Sequence, residues 1–274
     1  MQASKNDKGV AMSDETLCKM HLQSAGLSQR SEPLLKREQQ AFSGMVKSLF
    51  TLSKAETGSP PLTSKILINA LTSKAPGRAY TAAFITGRCQ TQDTGADNVL
   101  TQALEKVIEE VAEPDVVIEA AMSLALRGNI EHSKQTLLAR LNSPNPLGDQ
   151  YKAAFYLAQM GDPSGYGVLV KTLRSDIPHY RLMAVRHAIA FVPYEAQKIN
   201  NIKVDVRGLL VERLSDSDEL VRSEVPFYLE ELQVPDLRSL LQSVVQYDPA
   251  YSVRAAALIV LDRDGGKAGS DLRE

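Results

Sequence analysis

Apolar residues recur along most of this chain at three- and four-residue steps, and the steps recur in blocks. Residues 153–162 read AAFYLAQMGD: small residues at the centre, a leucine, then Gly-Asp. Residues 120–129, AAMSLALRGN, align with them without gaps. Shorter versions are AAFITG at 82–87, AVRHAIAF at 184–191, VPFYLEEL at 225–232 and ALIVLD at 257–262. The first small residue of each falls at 82, 120, 153, 184, 225 and 257, giving intervals of 38, 33, 31, 41 and 32 residues. A period in the roughly 20–50 residue range marks stacked supersecondary units, none of which can bury its apolar face alone.

Each block is preceded by a second helical line: ILINAL (66–71), VLTQALEKVIEEV (99–111), KQTLLARL (134–141), GVLVKTL (167–173), VRGLLVERL (206–214) and LRSLLQSVV (237–245). Turn and cap residues separate the two helices of every pair, as in Glu113-Pro114-Asp115, Ser215-Asp216-Ser217-Asp218 and Tyr247-Asp248-Pro249. Their side chains bond free backbone N–H groups or their φ is preset. About six helix pairs are therefore expected. Sustained period-two alternation is absent, so almost no strand is expected.

Upstream, residues 31–58 carry Leu35, Phe42, Met45, Val46, Leu49 and Phe50 on one helical face, and are read as a capping helix over the first repeat. Residues 1–30 are polar and read as a mobile tail, with one short helix near 15–24. The repeat domain is drawn over 62–264 and a frayed C-terminal tail over 265–274. Pro226 falls where a small mid-helix residue belongs, which predicts a kink or a helix that begins later.

The second helices resemble HEAT-like repeats of the type found in phycobilin lyases, whose pattern is roughly V-R-x-x-A-A-x-A-L-G-x-I-G-D. Val221-Arg222 and Val253-Arg254 carry the V-R pair, Tyr180-Arg181 nearly does, and residues 153–162 carry the A-A to G-D half. Units one and two depart from it, with Arg78 and Val116 in the first position and Arg127 in place of an apolar residue. The resemblance implies an all-α fold, a right-handed α-α superhelix or HEAT-like α-solenoid. It says little about function, because repeat arrays share a scaffold and differ in what they hold.

Composition narrows the function classes. Net charge over the 274 residues is −2, which argues against broad nucleic-acid binding through many phosphate contacts. No apolar run approaches the ~20 residues of a membrane helix, and the N-terminus lacks the basic start and apolar run of a secretory signal. Cys18 and Cys89 stand far apart, so no disulfide framework is implied and a reducing cytoplasm fits. The histidines, His21, His132, His179 and His187, show no metal-ligand spacing and no nucleophile beside them. No catalytic residue, metal or cofactor is assigned. The glycine-rich stretch 161–167 lacks the Lys-Ser/Thr ending of a phosphate loop and reads as a turn between repeats.

The positive signal is a pair of rows on the second helices. On a helical wheel the third and seventh motif positions point away from the packing face. The third positions are Tyr80, Ile118, Tyr151, Leu182, Ser223 and Ala255; the seventh are Phe84, Met122, Phe155, Arg186, Phe227 and Ile259. Nine of these twelve are large and apolar, which suits an interaction surface on the concave side. Two other readings stay open: a packing face wider than assumed, and a groove covered by the N-terminal segment. The function expected is a non-enzymatic scaffold or adaptor that binds another protein in the groove, in a regulatory, chaperone-like or toxin-neutralising role. Tyr80, Phe84, Ile118, Met122, Tyr151, Phe155, Leu182, Arg186, Phe227 and Ile259 are the candidate contacts. The alternatives are a bilin-lyase-like enzyme holding a tetrapyrrole, and a damaged-DNA glycosylase. The second needs Arg181, Arg186, Arg222 and Arg254 to form one basic stripe. Two long inter-repeat stretches, 90–98 and 192–205, are candidate edge loops.

Overall fold

A computed structural model describes residues 64–88, 94–144 and 146–270. The proposed tail, its short helix and the capping helix lie outside the described residues. Among the described residues the chain forms twelve α-helices: α1 Ser64–Leu71, α2 Pro76–Arg88, α3 Thr94–Glu110, α4 Pro114–Leu126, α5 Ile130–Asn142, α6 Leu147–Gln159, α7 Tyr166–Leu173, α8 Pro178–His187, α9 Val206–Glu212, α10 Glu219–Glu231, α11 Leu237–Tyr247 and α12 Tyr251–Ser270. The fold is all-α and HEAT-like. It divides into two compact units, 1–140 and 141–274.

Within unit 1, α2 packs on α4 and α1 on α3, while α1–α2 and α3–α4 close the pairs. First helices thus meet first helices, and second meet second. Within unit 2 the second helices follow one another, α6 against α8, α8 against α10 and α10 against α12, with α7, α9 and α11 packed behind them. The helix starts follow the sequence. Pro76, Pro114 and Pro178 each open a second helix, where the missing N–H is no loss. Asp218 caps α10 by accepting from the N–H groups of Leu220 and Val221 at 2.9 and 3.2 Å. The Gly-Asp ending is a helix stop: Gly161 has φ +85°, and the Asp162 N–H donates to the Leu157 carbonyl at 2.8 Å.

Small residues bring second helices close. A Cβ on Gly87 would lie 2.4 Å from Ser123 Oγ, and that hydroxyl donates to the Ala83 carbonyl at 2.7 Å. Helix α10 runs unbroken from Glu219 through Pro226, so the later start expected there is not found. The first turn of α10 is already fixed by Asp218 and by packing. The proline therefore removes only its own bond to the Arg222 carbonyl. Helix α3 begins at Thr94, so half of the expected loop 90–98 is helix. Helix α12 continues to Ser270, past the boundary drawn at 264.

Strand is confined to one hairpin among the described residues, Lys198–Ile199 paired with Ile202–Lys203. Asn200 and Asn201 both take positive φ, the two-residue turn that matches strand twist.

Candidate functional site

The ten candidate contacts do not share one environment. Ile118, Met122, Tyr151, Phe84 and Phe227 are buried; Tyr80, Phe155, Leu182 and Arg186 are half-buried; Ile259 is exposed. The expectation of two open apolar rows is therefore corrected for the first five, which belong to the core. In α4 every residue from Val116 to Leu124 is buried, so this helix is covered on all sides and the wheel has no open face. Arg186 is not waiting for an acid on a partner, because it already pairs with Glu224 at 3.1 Å.

Unit 2 holds an aromatic cluster on α6 and α8. Phe155 stacks on His187 with centroids 4.2 Å apart and planes 21° apart, and Tyr151 lies on His187 at 5.7 Å and 16°. The Tyr151 hydroxyl donates to the Met183 carbonyl at 2.7 Å. Its oxygen then accepts from His187 Nδ1–H at 2.5 Å, which fixes the imidazole tautomer. Burial first, then the neighbouring Tyr228 and Tyr156, push the Tyr151 pKa well above the usual tyrosine value. Tyr151 is thus a neutral hydrogen-bond donor. The cluster is suited to stacking, and Phe155 is its half-buried ring.

Sequence reasoning missed the charged clasps. Arg181 grips Asp216 with both arms, Nε to Oδ2 at 2.8 Å and Nη2 to Oδ1 at 2.7 Å, with both side chains buried. Arg222 grips Asp248 in the same way, at 2.7 and 3.1 Å. Each aspartate lies in the turn of the following helix pair and also accepts a backbone N–H, from Asp218 and from Ala250. Burial pushes the Asp216 and Asp248 carboxyls up. The arginine hydrogen bond, the backbone N–H and the surrounding positive charge outweigh it and hold both below the usual aspartate value. The V-R and turn-Asp signatures were both visible in the sequence; the distance between them, 35 and 26 residues, hid the pairing.

Unit 1 has a different set. Arg88 pairs with Glu119 at 2.9 Å, donates to the Phe84 carbonyl at 3.0 Å and covers the Phe84 ring at 3.6 Å. The buried Arg127 guanidinium joins the Asp97 carboxylate, the Thr86 carbonyl at 2.8 Å, the Asp97 carbonyl at 3.1 Å and the Thr101 hydroxyl at 3.2 Å. The stripe required by DNA binding is not found: Arg181, Arg186 and Arg222 are paired to carboxylates, and Arg254 bonds backbone carbonyls.

The second candidate loop folds onto its own unit. The Tyr194 hydroxyl donates to the Ala158 carbonyl at 3.0 Å, and the Asp205 N–H donates to the Tyr166 hydroxyl at 2.9 Å. Of its apolar residues Ile202 stays exposed. A shallow groove of about 550 Å³ lies beside Leu240, Val244 and Tyr247, and its polar floor is the Arg222–Asp248 clasp, already satisfied. Among the described residues no group of three His, Cys, Asp or Glu side chains is placed to hold a metal ion. No described helix is long and apolar enough to cross a membrane.

No protein-family model matches the chain, and no curated protein sequence matches it. Solved structures with a similar fold include an engineered protein from a structural genomics programme (20% identity, 73% of this chain and 95% of that one, TM-score 0.42). Others are Escherichia coli YibA (18%, 95% and 88%, TM-score 0.41) and human deoxyhypusine hydroxylase in complex with glycerol (15%, 91% and 87%, TM-score 0.37). The likeness is one of coarse fold.

Proposed function

We propose that the protein is a non-enzymatic helical-repeat scaffold that binds another protein through the open side of the second helices of unit 2. One observation supports this reading above others. Phe155, stacked on His187, stays half-buried on α6, and Leu182 stays half-buried on the adjoining α8, while Tyr151, Tyr156 and Ala184 beside them are buried. An aromatic and an aliphatic side chain on a rigid, hydrogen-bonded base form the kind of preorganised anchor that dominates protein interfaces. A helix laid against such a surface would use its own apolar residues at three- and four-residue steps.

The experiment is partner capture with the Phe155→Asp, Leu182→Asp double variant. Helical circular dichroism should stay at the wild-type level, since both positions are only half-buried, and capture should fall by about tenfold or more. Capture at the wild-type level with intact helicity removes this surface from the reading.

A further inference from the structure

The register of the hairpin in unit 2 sets like against like. Lys198 stands directly opposite Lys203, and Ile199 opposite Ile202. Two lysines so placed repel each other, a cost that an anion between them removes. Both are exposed, and no carboxylate among the described residues pairs with either. Ile202 leans on α7, where a Cβ on Gly167 would lie 3.6 Å from its Cδ1. Lys171 and Arg174 follow Gly167 by four and seven residues, on the same side of α7, and are also exposed and without an acid. The two carboxylates nearby are engaged. Asp205 caps α9 through the Gly208 N–H at 2.8 Å, while Glu195 accepts from the Val206 N–H at 3.2 Å and pairs with Arg207 at 3.6 Å.

The hairpin is held in place. Ala196 and Gln197 both face Val204, through bonds of 3.0 and 2.8 Å, and Ala196 takes φ +66°; this is a bulge that fixes the twist. Each strand has one neighbour, so both outer edges are without a strand partner among the described residues. Lysines on such an edge turn away a second hairpin of the same kind and leave it open to a chain of opposite charge. Side chains of an added strand alternate between the two faces of the sheet. Carboxylates at every second residue would meet Lys198 and Lys203, and apolar residues between them would meet Ile199 and the 40% exposed Ile202.

We propose that this hairpin takes, as a third strand, an extended segment of a separate protein in which carboxylates alternate with apolar residues. Lys171 and Arg174 extend the positive field that draws the segment in. The residues of this chain outside the described ones do not carry such a segment. Residues 1–63 hold eight Lys and Arg against six Asp and Glu, and in 1–63, 89–93 and 271–274 no two carboxylates stand two residues apart. Single-stranded nucleic acid is a poorer occupant, because residues 196–203 include no aromatic ring on which a base could stack. The inference goes beyond the scaffold reading, and none of its residues belongs to the Phe155–Leu182 surface.

The test is fluorescence anisotropy of the full chain with a labelled peptide of alternating glutamate and leucine. Binding should saturate and should weaken as salt rises. The Lys198→Glu, Lys203→Glu variant should keep the wild-type helical circular dichroism and lose affinity by about tenfold or more. The Phe155→Asp, Leu182→Asp variant should bind the peptide as the wild type does. Amide exchange at Lys198 or Lys203 should slow by about tenfold when the peptide is present, as a new ladder bond requires. No binding to the wild-type chain, full binding by the Lys198→Glu, Lys203→Glu variant, or unchanged exchange in the hairpin overturns the proposal. Tighter binding of oligothymidine or of phosphatidylserine vesicles than of the peptide also overturns it, since the patch would then be a phosphate surface. Sedimentation of the unmodified chain should show no dimer that Lys198→Glu with Lys203→Glu dissolves; such a dimer would place a second copy on the hairpin. Peptide binding lost with Phe155→Asp, Leu182→Asp belongs to the other surface and defeats this one.

Discussion

The two units bury arginines at opposite ends of their second helices. In unit 1, Arg88 closes α2 and Arg127 follows α4, where unpaired carbonyls and the negative end of the helix dipole welcome a cation. Their bonds go to the Phe84, Thr86 and Asp97 carbonyls as well as to side chains, with Glu119 and Asp97 as counter-ions. In unit 2, Arg181 and Arg222 stand in the first turn of α8 and α10, the end of a helix that disfavours positive charge. There a full carboxylate is required, and it comes from the next turn, where it also accepts an N–H from the residue just ahead of the following helix. The same side chain thus staples helices within a pair-to-pair contact in one unit and locks successive repeats in the other.

The largest test of this contrast is Asp216→Asn, which leaves the buried Arg181 charge uncompensated. Urea unfolding should show a loss of about 3–5 kcal/mol. The effect carries a pH signature. Both aspartates are held below their ordinary value of 3.8, so the clasps contribute in full above it. That contribution disappears as pH falls through the lowered values. Wild-type stability should therefore drop more steeply below about pH 4 than that of the Asp216→Asn variant. Equal slopes would mean that the clasps are not what acid breaks.

Arg127→Met probes the carbonyl-directed solution of unit 1. It strips partners from Asp97 and from the Thr86 carbonyl, and a loss of about 2–3 kcal/mol is expected by thermal or urea unfolding, smaller than for Asp216→Asn. A loss larger than that of Asp216→Asn would reverse the ranking of the two designs. Gly87→Ala probes the close approach that makes those bonds reachable. Its new methyl overlaps Ser123, which should cost about 1–3 kcal/mol. The smallest effect is a gain. Gln233 ends α10 at φ +50°, where units elsewhere use glycine, so Gln233→Gly should raise stability by about 0.5–1 kcal/mol.

The helices and their starts were legible because local chemistry sets them: prolines at 76, 114 and 178, Asp218 before α10, and Gly161-Asp162 at the end of α6. The hairpin in 192–205 was also signalled, by Ile199-Asn200-Asn201-Ile202, but so short a segment carries no sustained alternation. The candidate surface was read less well. A wheel ranks positions on one helix, whereas burial at Ile118 and Met122 depends on how many neighbours α4 has. Clasps such as Arg181–Asp216 and Arg127–Asp97 join residues about a repeat apart, and nothing in a single sequence links them.

Arg181 and Arg222 each reach forward to the turn of the helix pair that follows. An array fastened this way can be shortened or lengthened a module at a time without redesigning its joints. Trimming off α11 and α12 would take Asp248 away and leave the Arg222 fork without its carboxylate. Growth by duplication therefore preserves one reusable plug-and-socket between modules.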